Sequence, residues 1–126
     1  MKKAKNLLRG CVLVGLLWAA LIRVAPADDS GKDVFEEQCA ECHSVLKDKN
    51  KKGPSLFGVV GRKSGSVDGY EYSDAMKSAN LVWTQEDLDQ YLTYPRKMVP
   101  GTKMKYDGLE ARNQRSALIQ YLGNIK

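Results

Sequence analysis

The five residues Cys39-Ala40-Glu41-Cys42-His43, CAECH, contain two of the three cysteines and the single histidine of a 126-residue chain. Three chemistries use thiols at this spacing. A structural zinc site takes four tetrahedral ligands, and no second Cys/His pair exists here, so zinc is disfavoured. A thiol–disulfide site needs only CxxC, normally after a strand in a βαβ unit. No strand pattern precedes Cys39, and His43 would be left without a task. The third chemistry is covalent haem attachment, for which CxxCH is a specific signal. Cys39 and Cys42 would form thioethers with the haem, and His43 would be carried under the iron as its proximal ligand.

Outward toward the N-terminus, MKKAKNLLRG carries four positive charges and is followed by twelve uncharged residues, CVLVGLLWAALI. That run is short for a bilayer span. Ala25 and Ala27 in RVAPA supply the small side chains of a cleavage site, so residues 1–27 are expected to be a signal peptide. The rival is an uncleaved anchor holding the protein to a membrane. A lipid anchor on Cys11 is disfavoured, because Arg9 breaks the small-residue pattern and the apolar run follows Cys11. Removing the leader changes the charge argument: Lys2, Lys3, Lys5, Arg9 and Arg23 account for the whole net +5, leaving residues 28–126 with 15 basic and 15 acidic groups. A nucleic-acid partner is therefore unsupported. Export also suits CAECH, since haem attachment is made outside the cytoplasm.

Outward toward the C-terminus, Ser30 is a candidate N-cap for a helix over GKDVFEEQ that delivers CAECH at its end, with Asp33, Glu36 and Glu37 near the positive end of its dipole. Short helices are expected at Ser73–Ala79 and from the capping box at Thr84 through Tyr91. A final amphipathic helix is expected from about Leu109 to Leu122, with Gly123 just past its end. No stretch alternates long enough for a sheet. The expected class is all-α with long loops, and 99 residues with few large aliphatic side chains leave those loops in need of something apolar to pack on.

The second axial ligand decides the chemistry, and Met76, Met98 and Met104 are the candidates. A lone methionine is usually core filling. Met104 differs because Pro100 and Gly101 in VPGTKM force an irregular loop able to turn a side chain inward.

The string YLTYPRKMVPGTKM (Tyr91–Met104) resembles the axial-methionine loop of class I cytochromes c, the mitochondrial proteins and their short bacterial relatives. GPSLFGVVGRKSG (Gly53–Gly65), YSDAM (Tyr72–Met76), VWTQEDLDQYL (Val82–Leu92) and LIQYL (Leu118–Leu122) match in order. The resemblance implies a cytochrome c domain over 28–126, with three main helices plus short helices and loops wrapped around one covalent haem c. It implies Cys39 and Cys42 as attachment points, His43 and Met104 as iron ligands, and the Pro54 carbonyl as acceptor for the other His43 nitrogen. By the same resemblance Arg62, Tyr72 and Trp83 contact or neutralise the haem propionates, and the Tyr91 hydroxyl approaches the methionine sulfur. Gly31 and Phe35 look like partners of Leu118 and Tyr121. Met76 departs from the family, which commonly has an asparagine there in a buried hydrogen-bond network.

These readings lead to an expected monomeric periplasmic electron carrier, not an enzyme, docking redox proteins of the respiratory or dehydrogenase type at its haem edge. Lys47, Lys52, Lys97 and Lys103 are the docking candidates. Two rivals from other classes are a haem protein that binds small ligands or turns over peroxide once Met104 detaches, and a colourless thiol–disulfide oxidoreductase.

Overall fold

The computed structural model describes residues 27–126, with side chains from Gly31 onward. The leader expected over 1–27, cleaved or kept as an anchor, lies outside the described residues apart from Ala27. Five helices follow in order: α1 (Ala27–Gln38), α2 (Asp74–Ser78), α3 (Gln85–Thr93), α4 (Pro95–Met98) and α5 (Arg112–Gly123). No strand occurs among the described residues, and an isolated antiparallel bridge joins Lys63 to Val82. The fold is all-α, with three main helices and two short ones. Among the described residues no helix is long and apolar enough to cross a membrane.

Each main helix buries one narrow stripe. Val34 and Phe35 of α1, Leu88, Tyr91 and Leu92 of α3, and Leu118, Ile119 and Leu122 of α5 are all buried, at the three- and four-residue spacings of a helical face. The most extensive helix contact is between α1 and α5. A Cβ placed on Gly31 would stand 2.2 Å from the Ala117 carbonyl oxygen and 2.7 Å from Tyr121 Cβ. Only a residue without a side chain lets the two backbones approach this closely. One turn along, the Phe35 and Tyr121 rings meet at 5.9 Å between centroids, tilted by 44°. The expected pairing of Gly31 and Phe35 with the last helix is what the structure has.

Local chemistry sets the helix ends, with three departures from expectation. Thr84 caps α3, accepting from the Asp87 amide at 3.0 Å; the Asp87 carboxylate accepts from the Thr84 hydroxyl, while the Thr84 amide bonds to the Val82 carbonyl instead. Ser73 caps α2 through the Met76 amide. Ser30, by contrast, lies inside α1, which already begins at Ala27. The last helix starts at Arg112 rather than Leu109, because the preceding backbone is committed elsewhere. The Leu109 amide donates to the Leu92 carbonyl, and the Leu109 and Glu110 carbonyls accept from Arg115. Gly123 closes the helix from within, and Asn124 is the C-cap.

Replacing Gly31 with alanine tests the α1–α5 contact. The gain in helix propensity, about 1 kcal/mol, is outweighed by the clash with backbone, so a net loss of about 2 kcal/mol is expected. It is read as a lower urea midpoint at unchanged slope.

Candidate functional site

The chain leaves α1 in a tight turn that sets CAECH against the interior. Cys39 and Ala40 both donate to the Phe35 carbonyl at 2.9 Å, and the amides of Cys42 and His43 return to the Cys39 carbonyl at 3.0 and 2.9 Å. Cys39, Cys42 and His43 all line one cavity of about 490 Å³, a size suited to a cofactor. Both thiols are free. Burial pushes the Cys39 thiol up to about 11, with Cys42 adding to the rise. A thiol held in its neutral form is the opposite of the depressed pKa that disulfide exchange uses.

His43 is fixed from two directions. Its Nδ1–H donates to the Pro54 carbonyl at 2.8 Å, which leaves Nε2 as the nitrogen able to bind a metal. Burial lowers its pKa, with the Pro54 hydrogen bond opposing, so the imidazole is neutral near pH 7 and keeps its lone pair. Gly53 lies against the same ring, where a Cβ would stand 2.4 Å from His43 Cε1 and 2.8 Å from Nδ1. Gly53 is itself tied back to the motif, its amide donating to the Cys42 carbonyl at 2.7 Å. Sequence reasoning passed over Gly53, although its place directly before Pro54 was the available signal.

Of the three candidate methionines, Met76 and Met104 line the cavity and Met98 does not. Met104 arrives from a turn in which the Thr102 amide donates to the Val99 carbonyl at 3.1 Å. Gly101 at φ +89° occupies the position of that turn requiring positive φ. The Tyr91 hydroxyl reaches Met104 Sδ at 3.4 Å and Thr102 Oγ1 at 3.2 Å. Thr102, missed in the sequence, also accepts from the Met104 amide. Met76, buried at the end of α2's first turn, presents an apolar thioether to the same cavity.

The remaining expected residues converge here too. Arg62, Tyr72 and Trp83 all line the cavity. Arg62 spends two guanidinium nitrogens on its own loop, donating to the Phe57 and Ser55 carbonyls at 2.6 and 2.9 Å. Tyr72 accepts from the Val67 amide, which leaves its own O–H free to donate. Trp83 packs on Tyr91 at 4.9 Å between centroids. Lys52 and Lys103 are on the cavity wall, whereas Lys47 and Lys97 are not. The rim is tied by Tyr70, which donates to the Lys52 carbonyl at 3.0 Å and lies under the Lys103 ammonium at 5.8 Å.

With this geometry in view, a family model described as Cytochrome c matches residues 29–126. The chain belongs to the cytochrome c family. It is 46% identical over 104 residues to cytochrome c2 of Rhodopila globiformis, covering 81% of this chain and 98% of that one. Cytochrome c of Euglena viridis is 46% identical over 98 residues, covering 78% and 96% respectively. Among solved structures, cytochrome cH from Methylobacterium extorquens matches with a TM-score of 0.70 and 44% identity, over 75% of this chain and 95% of that one. Membership carries with it a covalently bound haem c with its iron, and haem-based electron transfer as the function. The chain suits that group on its own terms. It offers two free thiols at CxxCH spacing, a neutral imidazole with one nitrogen uncommitted, a soft sulfur in the same cavity, and apolar walls.

Two measurements follow. Gly53→Ala forces a methyl into the His43 ring, so haem absorbance per polypeptide in the purified cytochrome should drop severalfold against the parent. Burial also raises the Tyr91 pKa above its usual value of 10.0, with the Thr102 hydrogen bond opposing. Below that value the hydroxyl is neutral in both folded and unfolded chains; as pH rises past it, ionisation in the unfolded chain draws the equilibrium away from the fold. The stability of the parent relative to Tyr91→Phe is therefore expected to decline as pH is raised above 10, by denaturant titration at each pH.

Proposed function

We propose that this cytochrome c is a periplasmic carrier of single electrons, exported with loss of residues 1–27, passing them from respiratory or dehydrogenase donors to a terminal acceptor. Cys39 and Cys42 would hold the haem, and His43 and Met104 would bind its iron. The observation that carries this reading is the meeting of Met104 Sδ and His43 in one apolar cavity, each with its orientation fixed by a hydrogen bond.

The haem supplies the one-electron couple, and the chain's residues set its terms. Two protein ligands leave no coordination position for a substrate, which suits a carrier better than an enzyme. The Pro54 carbonyl orients His43 and raises its basicity. Tyr91 donates to the Met104 sulfur and draws electron density from it. The free hydroxyl of Tyr72, the Trp83 indole N–H and the positive charge of Arg62 are suited to receive the propionates. Apolar side chains around the site keep water out and limit the reorganisation that accompanies electron transfer.

Partner docking is assigned to the haem edge, with Lys47, Lys52, Lys97 and Lys103 as the attracting charges. Lys52 and Lys103 have the stronger support, since both border the cavity, although Lys52 is paired with Glu41. Basic groups around one edge of an otherwise balanced chain steer acidic partners into a small, short-lived contact. A monomer suits such turnover. The ligand-binding rival has less support, because Met104 is held by the contacts just described, and the thiol–disulfide rival is opposed by the neutral Cys39.

The oxidised protein is expected to show the weak far-red band of methionine sulfur on ferric haem. Met104→Ala should abolish it and let the ferrous form bind carbon monoxide rapidly. A parent protein with covalent haem and no band would refute the ligand assignment. Association with an acidic redox partner should slow as salt rises, since screening acts over about 8 Å at physiological ionic strength. Neutralising Lys52 and Lys103 should flatten that dependence, and rates indifferent to salt would remove the steering role.

A further inference from the structure

Arg115 is the one charged residue that is buried among the described residues, with 7% of its surface exposed. Nothing in the haem cavity touches it, for it does not line that cavity. Its guanidinium instead joins three parts of the fold. Nε donates to the Asp89 carboxylate of α3 at 2.8 Å. Nη1 donates to the carbonyls of Leu109 and Glu110, both at 2.8 Å. Those carbonyls end the segment that begins at Met104.

The same segment is docked on the last turn of α3 by its backbone. The Leu109 amide donates to the Leu92 carbonyl at 2.8 Å. At Gly108 a Cβ would stand 2.1 Å from the Thr93 carbonyl oxygen, and the residue has φ +121°, so only glycine permits the approach. α3 also carries Tyr91, whose hydroxyl meets Met104 Sδ. One helix therefore contacts the Met104 segment at both ends, through Tyr91 at the sulfur and through Leu92 and Thr93 at the return, with Asp89 joined to that return by way of Arg115.

We propose that Arg115 is a positioning residue for Met104: by clasping the Leu109 and Glu110 carbonyls to Asp89 it fixes the register of residues 104–110 on α3 and so keeps the sulfur at the iron. The inference rests on the proposed ligation by Met104. Loosening the clasp raises the fraction of molecules in which the sulfur is away. The apparent affinity for an external ligand rises in proportion to that fraction.

The test is imidazole binding to the ferric holoprotein, followed optically, in the parent, Arg115→Lys, Asp89→Asn and Ile119→Val. Lysine keeps the charge but cannot span a carboxylate and two carbonyls in the fork geometry of arginine. Ile119→Val loosens the same helix at a buried site off the cavity. Losing about one charge-assisted hydrogen bond predicts roughly tenfold tighter imidazole binding and a weaker far-red band in Arg115→Lys. Asp89→Asn should shift the same way by a smaller factor, about threefold on the same scale, and it carries the test if Arg115→Lys yields no holoprotein. Ile119→Val should stay within about twofold of the parent even where its urea midpoint falls comparably. Equal imidazole affinity in the parent and both clasp variants, or an equal rise in Ile119→Val, overturns the positioning role while the band in the parent upholds Met104 as ligand. Absence of the band in the parent overturns both.

Discussion

The main helices α1 and α5 meet at Gly31, which lies against the Ala117 carbonyl with no room for a Cβ. The rest of the structure depends on that contact because it aims α1. A helix of twelve residues is about 18 Å long, so a small change in its tilt moves its C-terminal end by ångströms. CAECH begins one residue after that end. The Phe35–Tyr121 contact and the burial of Leu118 and Leu122 then fill the crossing with apolar surface. The cofactor site is thus positioned by packing that contains none of its ligands.

Between α1 and α3 the chain runs through more than thirty residues with only the short α2, and it is held by polar contacts to backbone. Pro54 receives His43, Ser55 bonds to the Leu46 carbonyl, Arg62 gathers the Ser55 and Phe57 carbonyls, and the Ser64 hydroxyl accepts from the Leu81 amide. Loops pay a high entropic cost for order, and here each bend is tied by a side chain that saturates a carbonyl or amide the loop would otherwise leave bare. This explains how a chain with modest aliphatic content wraps a cavity. The loops are stiffened by hydrogen bonds at their outer edge and by apolar contact at their inner one.

Much of this was legible in the sequence, for identifiable reasons. CAECH is a covalent requirement expressed at fixed spacing, and Thr84 is a cap whose partner lies three residues away; both are local. Met104 was marked by the Pro100–Gly101 turn before it, whereas Pro54 and Tyr91 could be placed only through the family resemblance, since nothing in their neighbourhoods ties them to one cavity. Ser30 misled because α1 starts before it. Leu109 misled because apolar spacing cannot reveal that its backbone groups are taken by Leu92 and Arg115. The short α4 went unread although Pro95 stands at its first turn, the position proline favours. Nothing beside Arg115 in the sequence signals its burial, because its partner Asp89 is twenty-six residues away.

The two sides of the site are held by different kinds of contact. On the His43 side, Gly53 and Pro54 belong to the loop that leaves CAECH, and their bonds to Cys42 and His43 span eleven residues. Such short-range contacts close cheaply and re-form quickly. On the Met104 side the sulfur depends on a loop fastened at distant points: Tyr91 and Leu92 on α3, the Glu71 carbonyl through the Lys103 ammonium, and Gln38 at the end of α1 through the Tyr106 hydroxyl. Several of these are exposed and individually weak, and they hold the loop only while the elements bearing them stay in place. Displacing α3 or the end of α1 therefore loosens the Met104 loop, whereas the bond that orients His43 comes from the loop that follows it. With the ligands proposed above, a carrier built this way would keep its covalent and imidazole attachments under stress and yield, if it yields, at the sulfur.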